Sequence, residues 1–86
     1  MTTDQIKLQL AQHEGLRPDQ ASLEVEKGYD STGDEAVWVW VTLQHWPEFA
    51  VRQQLREEVN EQVRDWEKVD FVYVRFRDAS ELVPAP

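Results

Sequence analysis

Few residues in this chain are of the types that make and break bonds. Its serines, Ser22, Ser31 and Ser80, lie in no Gly-x-Ser-x-Gly context, and the histidines are His13 and His45, so no spacing supports a nucleophile with its base. Metal ligation has two short pairs to draw on, His13 with Glu14 and His45 with Glu48, without the H-E-x-x-H spacing that sets two imidazoles on one helix face. Asp30, Asp34 and Glu35 stand near Gly28 and Gly33, where carboxylates gather calcium, but not at EF-hand spacing. Glu57, Glu58 and Glu61 offer paired carboxylates, in a chain so acidic that such pairs carry no information. There is no cysteine, which excludes disulfides, thiolate metal sites and a cysteine nucleophile. The expectation is no catalytic residue, no metal, no cofactor and no small-molecule substrate.

Aromatic and cationic residues carry more information. Tyr73, Arg75, Phe76 and Arg77 follow one another near the end of the chain, and Trp38 and Trp40 stand two apart near its middle. Aromatic and Arg side chains on a sheet stack bases and grip phosphates in RNA-binding domains. The K/R-G-F/Y-G/A-F-V-x-F/Y run of those domains is missing, and Glu24 and Glu26 would repel phosphates. The whole-chain charge points the same way: 17 carboxylates against 9 Lys and Arg give a net charge of −8. Three origins fit that acidity: a solvated surface, a salt-adapted host (only Lys7, Lys27 and Lys68 are lysines), or selection to meet a basic partner.

The elements that position these residues follow from period and punctuation. Residues 3–14 read as a helix with Ile6 and Leu10 on one stripe, extended by His13; Thr2 and Gln5 have capping-box spacing and Gly15 is a stop. Pro18 marks a turn. Residues 22–27 alternate, Leu23 and Val25 against Glu24 and Glu26, as a half-buried strand does, and 28–34 read as a hairpin loop with a mobile tip. The strongest strand signal is 36–43, apolar on both faces, with Val37, Val39, Val41 and Leu43 against Trp38 and Trp40. Pro47 suits the first turn of a helix over 47–66, whose core stripe is Val51, Leu55, Val59, Val63 and Trp66. A last strand over 71–77 puts Val72, Val74 and Phe76 on one face.

These elements predict one α+β domain over residues 1–78 and a flexible tail over 79–86. It is a two-layer sandwich in α-β-β-α-β order. Its three-stranded mixed sheet has strand order 1-2-3, a right-handed parallel crossover joins the second and third strands, and both helices pack on one face. The other face then carries Trp38, Trp40, Tyr73, Arg75 and Arg77, with Glu24, Glu26 and Phe71. Either the first helix crosses that face and buries it, or it is a contact surface for a second copy or another protein. Arg75 and Arg77 are expected to neutralise Glu24 and Glu26 across the strands if the aromatic residues of the central strand separate them only partly.

The element order is similar to that of small KH-like ribosome-binding factors; the GxxG loop of KH domains is absent. That likeness implies an RNA-contacting accessory factor of translation as the alternative function. The principal expectation is a non-catalytic protein-interaction module or small accessory subunit that binds another protein or pairs as a homodimer, with Trp38, Trp40, Tyr73, Arg75 and Arg77 as its partner-binding residues. No apolar run reaches membrane-span length, and Met1 to Gln5 carries neither the basic start nor the apolar stretch of a signal peptide, so the expected location is cytoplasmic.

Overall fold

The doubly apolar segment becomes the centre of the sheet. In the computed structural model, which describes residues 1–82, strand β2 (Glu35–Leu43) lies between β1 (Ala21–Tyr29) and β3 (Phe71–Asp78). β1 and β2 pair antiparallel and β2 and β3 parallel, as a hairpin and a helical crossover require. Val37, Val39, Val41 and Leu43 are buried on one face against helices α1 (Thr3–Leu10) and α2 (Phe49–Glu67). Ile6 and Leu10 of α1 and Leu55, Val59 and Val63 of α2 enter that same cluster, joined by Val72 and Val74 of β3. Both helices therefore cover the aliphatic face in a two-layer α+β sandwich, and α1 does not cross to the tryptophan side.

The helix ends differ from the sequence pattern for local reasons. At the start of α1, Thr2 Oγ1 accepts from the Gln5 amide (3.1 Å) and Gln5 Oε1 from the Thr2 amide (2.8 Å), the reciprocal cap its spacing promises. The helix stops at Leu10 rather than 14. Beyond it the amides of Gln12 and His13 bond three residues back, and Gly15 takes φ +93°, which glycine alone adopts without strain. That turn drops Leu16 into the core, fully buried. Burying a leucine is worth about 1.5–3 kcal/mol, more than one further turn of a short helix supplies.

α2 begins at Phe49, so Pro47 precedes the helix instead of opening it, and Glu48 is an N-cap whose side chain makes no capping bond. Val51, expected in the core stripe, is 46% exposed. Steps of four residues on a 3.6-residue helix advance 40° each, so a stripe centred on Val59 has rotated off the core by Val51. The connection between β1 and β2 is shorter than anticipated, because β1 runs on to Tyr29. Asp30 and Asp34 close it by Asp30 N–H to Asp34 O (2.9 Å), with Gly33 N–H to Asp30 O (3.0 Å) and Gly33 at φ +84°. Ala79–Leu82 forms a 3₁₀ turn in which Asp78 Oδ1 accepts from the amide and hydroxyl of Ser80. The remainder of the expected tail, 83–86, lies outside the described residues.

One ion pair closes the end of the core. Lys27, on the helix-covered face of β1, reaches Glu67 in the last turn of α2, whose side chain is 7% exposed and also accepts from the Met1 ammonium (2.9 Å). Burial pushes the Glu67 carboxyl up, but hydrogen bonds and charge from Lys27 and that ammonium outweigh it and hold it below the ordinary glutamate value.

Two stability measurements test this packing. Leu55→Ala should cost about 2–4 kcal/mol in chemical denaturation, whereas Val51→Ala should change stability by no more than about 0.5 kcal/mol. A carboxyl depressed by folding stabilises above its unfolded pKa and loses that contribution as pH falls through its folded one. Stability should therefore drop as pH falls below about 4.5, and Glu67→Gln should remove part of that drop while costing roughly 1–3 kcal/mol at neutral pH.

Candidate functional site

Pairing register decides which side chains share the uncovered face. Four rows run across it from β1 through β2 to β3: Ser22, Thr42 and Arg77; Glu24, Trp40 and Arg75; Glu26, Trp38 and Tyr73; Gly28, Ala36 and Phe71. All five residues expected to bind a partner, Trp38, Trp40, Tyr73, Arg75 and Arg77, are thus brought onto one surface. The two tryptophans and Tyr73 are half-buried, Arg75 and Arg77 are exposed, and Phe71 is 41% exposed.

The aromatic centre is fixed in place. Trp38 stacks on Tyr73 with ring centroids 5.7 Å apart and planes 22° from parallel. On its other side Trp38 lies against Gly28, where a Cβ would come within 3.4 Å of the indole. Glycine therefore lets the ring settle close to the backbone of β1. Tyr73 donates its hydroxyl to Asp30 Oδ2 (3.3 Å), and Asp30 Oδ1 accepts from the Thr32 amide (3.0 Å), the Thr32 hydroxyl (2.7 Å) and the Asp34 amide (3.1 Å). The hairpin tip expected to be mobile is thus internally braced and tied to the aromatic face.

This arrangement perturbs both of its acids. The Thr32 hydroxyl, with lesser help from the Asp34 and Thr32 amides and Tyr73, holds the Asp30 carboxyl below its ordinary value against a desolvation penalty. Desolvation, followed by the charge and hydrogen bond of Asp30 and the charge of Asp34, pushes the Tyr73 phenol above its own.

Across the face the charges stay apart. Among the described residues no ion pair links Glu24 or Glu26 to Arg75 or Arg77, contrary to the expected cross-strand neutralisation. The two rings of β2 stand between them, and neighbouring strands are about 4.8 Å apart, so β1 and β3 are separated by twice that distance. The face is therefore banded, acidic along β1, aromatic along β2 and cationic along β3. It is also shallow: the depression beside Trp38 and Trp40 is about 300 Å³, at the small end for a ligand pocket.

The other residues with chemical potential are dispersed or used structurally. His13 Nδ1 lies 2.6 Å from the Glu14 carbonyl and Nε2 lies 2.7 Å from Glu58 Oε2, which ties the exit of α1 to α2. His45 is exposed beside Pro47, and among the described residues no three His, Asp or Glu side chains are placed to share a metal ion. No described helix is long and apolar enough to cross a membrane. A second aromatic group escaped the sequence pattern. Arg52 lies over the rings of Trp46 (4.5 Å) and Phe49 (5.6 Å) and donates to the Pro47 carbonyl (2.6 Å), leaving both rings exposed at the start of α2. Its signal was two aromatic residues flanking Pro47 outside any apolar stripe.

Compared with known proteins, the chain matches no family model, no curated protein and no solved structure.

The tie between loop and face is open to titration. In a Tyr29→Phe chain, Tyr73 is the remaining tyrosine and its ionisation is readable by ultraviolet absorbance. Its midpoint should lie above the ordinary phenol value of ~10 and fall when Asp30→Asn removes the facing charge. A midpoint unmoved by Asp30→Asn would show that the hydroxyl does not rest on that carboxylate.

Proposed function

We propose that this chain is a non-catalytic protein-interaction module, a small cytoplasmic accessory subunit whose contact surface is the open face of the sheet. One observation carries the proposal: both helices pack on the aliphatic side, which leaves Trp38 and Trp40 in mid-sheet with no helix of the described residues over them. Half-buried Trp38, Trp40 and Tyr73 and exposed Phe71 share this face, and Trp, Tyr and Arg are the residue types that dominate binding energy. The pre-stacked Trp38–Tyr73 pair adds to this, since side chains already fixed lose little conformational entropy on binding. For the alternative, an RNA-contacting factor, the same face offers aromatic rings and Arg75 and Arg77. It also presents Glu24 and Glu26, exposed and without an ion-pair partner among the described residues, to any phosphate laid across it.

The test is photo-crosslinking in the host cell with a photoreactive amino acid at position 40, compared with position 57 on the outer side of α2. Position 40 should yield discrete protein adducts and position 57 none. Adducts at neither position, or only to nucleic acid, would overturn the proposal.

A further inference from the structure

The banding of the open face has a symmetry of its own. Resting on the contact face just described, we propose that its occupant is a second copy of this chain, packed face to face about a twofold axis that runs along β2.

Two kinds of twofold axis in the plane of the sheet bring this surface against itself. An axis across the strands lays β1 on β1 and β3 on β3, so Glu24 and Glu26 of one copy meet the same carboxylates of the other, and the arginines meet arginines. An axis along β2 exchanges the edges and lays β1 over the second copy's β3. Glu24 then lies opposite Arg75, in the same row of the register and one row from Arg77, and Glu26 lies one row from Arg75. Like charges held opposite one another disfavour the first arrangement and opposite charges favour the second. Glu24, Glu26, Arg75 and Arg77, which make no ion pair among the described residues, find partners there.

The central strand lies on the same axis, Ala36 included. Trp38 and Trp40 also lie on the axis and meet their counterparts at the centre, ringed by the charged rows. An aromatic centre inside a polar rim is the usual anatomy of a specific interface, and a twofold contact of this kind closes at two copies. Three strands at about 4.8 Å and eight residues at about 3.3 Å make each face about 380 Å² in plan. A pair therefore buries about 760 Å² in plan, the size of a weak, transient contact, so the pairing should be reversible in the micromolar range.

The experiment measures mass by light scattering or sedimentation at low salt, from about 1 to 500 µM, far enough to populate a micromolar pair. The wild-type chain should pass from its 10.1 kDa mass toward twice that value. The E24R/E26R and R75E/R77E chains, checked as folded by circular dichroism, should each pair at least about tenfold more weakly. An equimolar mixture of the two, and the fourfold E24R/E26R/R75E/R77E chain, should each recover the pair, because the edges are complementary again. If a reversal does not fold, the isosteric E24Q/E26Q chain replaces it, with pairing weakened at least about threefold. A wild-type chain monomeric throughout, or reversal chains that pair as well as wild type, would overturn the self-pairing. Adducts at position 40 to a protein of another mass, with a monomeric wild type, would leave the contact face standing and remove only the second copy; no adducts would remove both.

Discussion

Everything in this molecule follows from a central strand that is apolar on both faces, with two α-helices among the described residues to cover it. The parallel pairing of β2 and β3 requires a crossover, and that crossover is α2. A helix of this size covers one side of a three-stranded sheet, and α1 packs beside it on the same side. Of the two faces of β2, the valine side is the better floor for helices. β-Branched residues present a low, even surface on which Leu55, Val59 and Val63 pack. The tryptophan side is taller, and its indole N–H groups need polar partners once buried.

The uncovered side is not left loose. Trp38 occupies the space above Gly28 on one flank and stacks on Tyr73 on the other, and the Tyr73 hydroxyl is held by a carboxylate of the β1–β2 connection. The tight hairpin is therefore part of the aromatic surface, since Asp30 simultaneously closes its own turn and orients a ring two strands away. A surface organised to this degree resists collapse onto itself and stays available in one geometry. The braced loop and the shifted acids Asp30 and Tyr73 are two expressions of the same contact.

Strand order turned a scatter of charges into a pattern. Glu24 and Glu26 lie on one edge strand, Arg75 and Arg77 on the other, and the tryptophans hold them apart. Had the two outer strands been neighbours, these groups would have neutralised one another within the chain. Separated, they give the face a direction, and any partner must match an acidic flank and a cationic flank at a fixed distance.

Much of this was legible from single residues and periods. The alternation in β1 and β3, the doubly apolar run of β2, the Thr2–Gln5 cap and the helical spacing from Leu55 to Val63 rest on local geometry, which each segment carries in itself. They suffice for the element order, the 1-2-3 sheet and the membership of the open face, because period two assigns each strand residue to a side. Other features were settled only when the segments met. Leu16 entered the core through a glycine turn, Val51 rotated off it, Lys27 found Glu67, and Tyr73 found Asp30 across 43 positions of sequence. The absence of pairing between Glu24 and Arg75 depended on the width of an intervening strand. Helix and strand periods are properties of a short stretch of backbone and can be read there, whereas a contact between distant residues depends on where two segments lie relative to each other. That relation exists only in the assembled fold.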